Sequence, residues 1–471
     1  MLSKANSVRD FTSGKMLPQI LMFALPIAAT SVLQLAFNTA DTVVVGRWGG
    51  ATPDECETAL AAVGSCGSLS NLILGLFTGL SVGAGVTVAH DVGARRYDDL
   101  RKTVHTSVLL SLVLGVFVGV LGMLIARPVL AIMGTDPRVL DQAAPYMIAV
   151  FAGMPGSLLY NYLSSILRSA GDSSTPLKFL TIAGVVNVGL NLIMVLVFKL
   201  GAIGVGIATA ASSYVSGGMM LIYMTRMEGP CRIDLRNLRL DGRKLRKIVL
   251  IGLPAGVQGC VFSISNVLIQ SSINSFDKAV VAGNTAAMNI DSYVYNIQNG
   301  FYHGAMTFVG QNLGAGDLRR VKRSVGLSSL LVSIVGFISG SVAYAFGPQL
   351  LSIFAPGNTA VIDAGMIRLT YVALPYFLCG LFEVACGALR GMGKSVSSTL
   401  CSLFGACALR IIYILTVFVY FHRIDVLYMS YPITWIITAV LMYSVFAVSY
   451  RRIKRRVESA ESKVVVEADP S

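Results

Sequence analysis

The sequence predicts an all-α polytopic membrane protein, with twelve transmembrane helices in two pseudo-symmetric six-helix bundles related as a parallel repeat. Three observations carry this reading. The 471 residues are 54% hydrophobic and 13% charged, with a mean hydropathy of +0.70, whereas soluble globular chains carry about 25% charged residues. Long apolar stretches recur from one end to the other, each bounded by charge clusters or by Gly and Pro. In hydrocarbon such stretches satisfy their backbone as helices. Finally, three landmarks recur in the same order on either side of one basic loop.

The expected spans are 17–46, 59–88, 103–125, 139–164, 174–198, 202–225, 248–275, 279–311, 324–346, 361–389, 396–421 and 426–449. Several exceed the roughly 20 residues needed to cross, so tilt or protrusion is expected. The first follows the polar leader "MLSKANSVRDFTSGK". It is too long for a signal-peptide core and has no small-residue cleavage pattern, so it reads as a retained helix. With the N-terminus placed inside, 29 of the 37 Lys and Arg fall on the inner side and six on the outer. That asymmetry puts both termini in the cytoplasm and the protein in the cell (plasma or inner) membrane. The net charge of +13 is then a topology signal that suits anionic headgroups of the lipid bilayer and not nucleic acid. The eight cysteines form no CxxC pair and most sit inside spans, so they read as small apolar packing residues.

The basic stretch "MEGPCRIDLRNLRLDGRKLRK" at 227–247 divides the spans six and six. The resulting layout is an N-terminal bundle over 1–226, a basic cytoplasmic linker over 227–247, a C-terminal bundle over 248–450 and a cytoplasmic tail over 451–471. Across the linker "FALPIAA" at 23–29 answers "IGLPAGV" at 251–257, and "VGARRYDDLRKTV" at 92–104 answers "LGAGDLRRVKRSV" at 313–325. "ILRSAGDSSTP" at 166–176 answers "ALRGMGKSVSS" at 388–398. An even number of helices per half lets both halves enter from the same side, which makes the repeat parallel and suits alternating access. Glycines four apart, such as Gly75, Gly79 and Gly83 or Gly252 and Gly256, supply close helix contacts.

Chemistry concentrates on the first span. Gln34, Asn38 and Asp41 lie at i, i+4 and i+7, a polar stripe that ends in a carboxylate. An ionisable group inside a span is a functional-site hypothesis by default. Pro26 lies about 22 Å below Asp41 at 1.5 Å per residue, placed to act as a conformational kink. On the fifth span Asn187 and Asn191 are one turn apart, and Thr209 falls in the first two turns of the sixth. All four polar groups reach similar depth in the outer half. A carboxylate with amide and hydroxyl oxygens suits Na⁺, which makes Asp41 a metal-ligand candidate; in a dry pocket it could instead carry a proton. In the second half Asp291, Tyr293, Asn296, Asn299 and His303 on the eighth span, Glu383 on the tenth and Arg410 on the eleventh are candidate cavity or substrate residues. So many polar groups would be costly against lipid.

These residues, taken in order, resemble the multidrug and toxic compound extrusion (MATE) transporters, bacterial type. The resemblance rests on "LP" and Asp41 on helix one, "GARR" after helix two, "LRSAGDSSTP" after helix four and "NVGLN" on helix five. It continues with "LGAIGVGIAT" into helix six, "VGQNLGAGD" after helix eight and "EVACGALRGMGKS" after helix ten. It implies a secondary active antiporter that exports small amphipathic, often cationic, organic compounds in exchange for Na⁺ or H⁺, acting as a monomer with no cofactor besides the coupling ion. It also implies that the coupling ion binds Asp41, Asn187, Asn191 and Thr209, and that helix one bends at Pro26. Asn191 stands where the family usually has Asp, which leaves one carboxylate in the site. The alternatives are a lipid-linked precursor flippase of related fold and a passive channel. An enzyme is not expected: "GLSVG" at 79–83 sits in an apolar helix without a preceding strand, and "GKS" at 393–395 lacks the P-loop glycine at 388.

Overall fold

In the computed structural model, which describes residues 9–468, every regular element is a helix. The chain runs α1 (Met16–Trp48), α2 (Pro53–Gly93), α3 (Tyr97–Ile132), α4 (Pro137–Ala152 with Met154–Ser169), α5 (Ser174–Val197) and α6 (Gly201–Arg226). It continues with α7 (Gly242–Ile273), α8 (Lys278–Gly314), α9 (Leu318–Ala345), α10 (Thr359–Ala373 with Tyr376–Gly391), α11 (Ser395–Phe421) and α12 (Ile424–Ala468). Among the described residues nine segments are each long and apolar enough to cross a membrane, and α4 and α10 qualify as bent pairs at 45° and 40°. A further helix, α8, has 37 residues, ample length, but carries the polar run from Asn284 to His303. The all-α membrane class expected from the sequence is observed, and these elements are consistent with twelve helices.

Proline accounts for both bends. Pro155 and Pro375 sit at the breaks of α4 and α10, where a missing N–H and a fixed φ suit the start of a new helical segment. Helices α5, α10 and α11 also contain wide π-type turns, among them Ile193–Val197 directly after Asn191.

The repeat is written into the helix ends. After α2, Arg95 N–H donates to Val92 O and Arg96 N–H to Asp91 O; after α8, Gly316 and Asp317 repeat this on Leu313 and Asn312. After α4, Gly171 and Asp172 bond Arg168 and Leu167, and after α10, Gly393 and Lys394 bond Arg390 and Leu389. Each is a Schellman cap that closes orphan carbonyls around one left-handed residue. The left-handed φ values are 54° at Arg95, 80° at Gly316, 95° at Gly171 and 73° at Gly393.

The contacts divide the chain into two compact units. The first takes in Leu21–Ile264 and the residues up to Phe11, and the second takes in Thr12–Ile20 and the chain from Ser265 onward. In the first, α7 lies so close to α2 that a Cβ on Gly79 would stand 2.2 Å from Gly256 N, and one on Gly83 would stand 2.1 Å from Ile248 O. Contact at this range is what small residues permit where no water drives helices together. The basic stretch before α7 is docked: Cys231 and Ile233 are buried in a cluster with Leu100, Val104, Leu163 and Met220. Asp241 caps α7 by accepting from Arg243 and Lys244 N–H groups at 2.9 and 3.0 Å, and these bonds, that from Lys244 first, hold its carboxyl below the usual range. Lys244 Nζ then reaches Asp91 Oδ2 at 2.8 Å, and Thr103 Oγ1 donates to the same oxygen at 2.7 Å. In the second unit α8 packs on α9 and α10, around a core that includes Ala286, Ala287, Ile290 and Leu369. All eight cysteines are free.

Two of the left-handed glycines, Gly316 and Gly171, separate strain from crowding. At Gly316 nothing stands within 4 Å of an added Cβ, whereas at Gly171 the Cβ would lie 2.5 Å from Arg9 Cβ and 2.8 Å from Arg9 O. Gly316→Ala is expected to cost about 1 kcal/mol of backbone strain alone, and Gly171→Ala about 2–3 kcal/mol once crowding is added. Melting temperatures of the two purified variants in detergent check this; equal losses would contradict it.

Candidate functional site

The first unit holds a small polar cavity of about 120 Å³ lined by residues of α1, α4, α5 and α6. Helix α1 contributes the predicted stripe: Gln34, Asn38 and Asp41 all face the cavity, separated by turns of the helix. Helix α5 contributes Asn187 and α6 contributes Thr209. Asn191, one turn beyond Asn187, is fully buried. Its amide nitrogen donates to Asp41 Oδ1 at 2.5 Å and to Asn187 Oδ1 at 3.3 Å. Asp41, Asn187 and Asn191 therefore form one hydrogen-bonded chain, and Thr209 lines the same cavity.

Among the described residues Asn191 Oδ1 is buried without a hydrogen-bond partner, and the Thr209 hydroxyl is buried beside Asp41, with which it interacts. A buried oxygen left unpaired costs free energy, so a site that keeps one beside a carboxylate has unused capacity for a cation. Asp41, Asn187, Asn191 and Thr209 together supply carboxylate, amide and hydroxyl oxygens, the hard donors that Na⁺ takes, and Asp41 alone suffices to hold a proton. The wide turn at Ile193–Val197 starts two residues after Asn191, and such irregular turns are common beside functional groups.

Helix α1 continues through Pro26 as one element. Thr30 Oγ1 donates to Pro26 O at 2.7 Å, one of the side-chain bonds that keep backbone near a helical proline satisfied. The cavity also contains residues that sequence reading passed over: Tyr160 and Asn161 from α4, and Ser212, Ser213 and Ser216 from α6. Serine, tyrosine and asparagine in a span give no local signal that separates cavity from helix contact. Tyr160 donates to Pro176 O at 3.0 Å and Asn161 to Ser157 O at 2.9 Å.

In the second unit several sequence expectations are corrected. Asp291 is no open-cavity residue: it is 3% exposed, and its Oδ2 accepts from Arg368 Nε at 2.8 Å. Arg368 also donates to Asn284 Oδ1 at 2.9 Å, as does Tyr428 at 3.0 Å. A buried acid with a guanidinium this close is a structural ion pair. The signal was a second charge in a span, Arg368, but 77 residues separate the partners. Tyr293 is 37% exposed and lies two residues from the buried Asp291, on a different side of the same helix. Asn296 is half-buried and bonds back to Ser292 O at 2.8 Å, a local helix bond. Arg410 pairs with no acid among the described residues; it donates to Thr434 Oγ1 at 3.0 Å and its guanidinium carbon stands 4.2 Å from the Tyr431 ring centroid.

The remaining candidates stay close together. Asn299 is half-buried beside Tyr295, and the His303 ring is edge-on to Tyr302 at 4.9 Å. Glu383 interacts electrostatically with Tyr295 and with Arg390, and Arg390 Nη1 donates to Tyr302 Oη at 2.5 Å.

Helices of membrane-crossing length in a repeated sequence, with a half-buried carboxylate among oxygen donors in the first unit, are the features of a polytopic membrane transporter. The MatE family model matches residues 26–193 and 254–416, so the two matched stretches correspond to the two halves, and the chain belongs to that family. YoeA of Bacillus subtilis, described as a probable multidrug resistance protein, is 25% identical over 441 residues, spanning 92% of this chain and 93% of that one. YpnP of the same organism, described likewise, is 26% identical over 85% of this chain and 88% of its own. Among solved structures, the outward-facing conformation of a multidrug resistance MATE family transporter aligns with a TM-score of 0.87 at 20% identity, covering 94% of this chain and 98% of that chain. At that identity the likeness shows the fold.

The Asp291–Arg368 pair gives a direct test of the structural assignment. Asp291→Ala leaves a buried guanidinium without its acid and is expected to cost about 3–5 kcal/mol, whereas Asp291→Leu with Arg368→Met recovers most of that. Melting temperature and monodispersity in detergent report both; a double variant no more stable than the single would overturn the assignment.

Proposed function

We propose that this protein is a secondary active antiporter that exports small amphipathic organic compounds, cations prominent among them, in exchange for an inward-moving cation. It lies in the bacterial inner membrane with both termini and the basic 227–247 stretch in the cytoplasm. The observation that carries the coupling step is the hydrogen-bonded chain of Asp41, Asn191 and Asn187 beside Thr209. Multidrug resistance is the description given to both Bacillus relatives, and organic solutes of that kind are the substrate class proposed here.

The site carries one acid. Where a second carboxylate would repel Asp41 and require a cation between the two, Asn191 puts an N–H donor on Asp41 instead. That donor occupies the direction from which a metal ion would approach, so a proton is the coupling ion this arrangement favours. Protonation removes the charge from Asp41, loosens the bond from Asn191 and lets α1 shift about Pro26, favouring the outward-releasing state. Substrate arriving from the cytoplasm favours the other state. The membrane potential supplies about 2.3 kcal/mol per charge per 100 mV to this exchange. The Asn191 Oδ1, without a partner among the described residues, favours Na⁺ as the second reading: an Asn191 amide turned about its own axis presents an oxygen where the nitrogen now sits. No cofactor beyond the coupling ion is invoked, and the functional unit is a monomer.

Efflux of a fluorescent cation from proteoliposomes, with Na⁺ and H⁺ gradients imposed separately, tests the coupling. Asp41→Asn is expected to reduce gradient-driven efflux at least about tenfold, and Asn191→Asp to create Na⁺ dependence by restoring a second carboxylate. Wild-type efflux driven equally well by Asp41→Asn would remove Asp41 from the cycle. Wild-type efflux driven by Na⁺ alone would replace the proton by the metal ion.

A further inference from the structure

The second unit carries a cavity that has no part in the coupling step. It opens between the start of α11 and the far end of α12, and its volume is about 360 Å³. Lys394, Arg452 and Arg456 line it, with the hydroxyls of Ser397, Ser444 and Ser449. On α12 the lining follows the helix period in two adjacent rows, 444, 448, 452, 456 and 445, 449, 453. Read along the first row, the surface changes from hydroxyl and valine to guanidinium, while the second runs from valine through hydroxyl to isoleucine. Its apolar end includes Val448, which is 48% exposed.

None of the three cations forms an ion pair among the described residues; Glu458 on α12 pairs with Lys454 at 3.4 Å. Lys394 is also the N-cap of α11, so the first N–H groups of that helix add positive potential at the same mouth. Lysine and arginine just beyond the apolar part of a helix attract anionic lipid, and basic recesses between helices hold lipid phosphates.

We infer that this recess binds the phosphate of an anionic phospholipid, with Lys394, Arg452 and Arg456 on the phosphate and the valine-lined end against the first carbons of an acyl chain. The shared chemistry is a phosphate group, and two sources could supply it. The exposed Val448 selects the lipid over a soluble phosphate, because a free anion would leave it in water. The inference does not depend on the coupling mechanism at Asp41.

Protein delipidated in a neutral detergent is titrated separately with phosphatidylglycerol, with phosphatidylcholine of the same chains, and with inorganic phosphate. Phosphatidylglycerol is expected to raise the melting temperature by about 3 °C, and phosphatidylcholine to leave it unchanged. The triple variant Lys394→Gln, Arg452→Gln, Arg456→Gln should lose that rise. Arg451→Gln, Lys454→Gln, Arg455→Gln removes the same charge from outside the recess and should keep it. Equal losses in the two triples, or a full rise in the first, would overturn the site; an equal rise with inorganic phosphate would overturn its assignment to lipid. Should the first triple not fold, Arg452→Gln alone is compared with wild type by native mass spectrometry, where fewer retained phosphatidylglycerol molecules are expected and equal retention counts against the site.

Discussion

A carboxylate placed where water is scarce must have a partner, and the nature of that partner decides what the carboxylate can do. Asp41 and Asp291 are both acids within helices of membrane-crossing length, yet they are treated differently. Asp291 meets the guanidinium of Arg368, whose positive charge offsets the charge of the carboxylate. Asp41 meets the amide of Asn191, a donor that steadies the carboxylate without cancelling its charge. Only the second arrangement leaves a negative charge for a mobile cation to neutralise. The restriction to one half is visible in the repeat: fifteen residues beyond Pro26 stands Asp41, and fifteen beyond Pro254 stands Ile269, buried and apolar.

Local departures from regular helix lie inside the spans, and one of them follows Asn191. The wide turn after Asn191 and the bends at Pro155 and Pro375 each alter the backbone bonding of a long helix. In hydrocarbon such departures survive where neighbouring groups take up the freed carbonyls and N–H groups. By contrast, the helix ends are regular: the same cap closes α2, α8, α4 and α10. The chain thus fixes its turns firmly and keeps its irregularities inside the spans. The docked linker belongs with the fixed parts, since Lys244 is tied to Asp91 and Cys231 is buried.

The Asp41 stripe was legible because helical spacing alone puts Gln34, Asn38 and Asp41 on one face, and all three line the cavity. The polar run on α8 was legible as unusual but not as to purpose. Asp291 and Tyr293 are two residues apart, so a helix sends them in different directions, and the composition of the run hides that difference. The bends at Pro155 and Pro375 could have been read from proline itself, whereas the wide turns in α5 and α11 have no residue signature.

The amino-acid sequence by itself determined the helical class, the number and order of the spans, the repeat and the face on which Asp41 lies. All of these follow from hydropathy and periodicity, which act over one or two turns. Only the tertiary structure decided which charge meets which partner: Asn191 lies 150 residues from Asp41 and Arg368 lies 77 from Asp291. Such pairs are chosen by desolvation, which depends on what the folded helices bring together and not on neighbours in the chain.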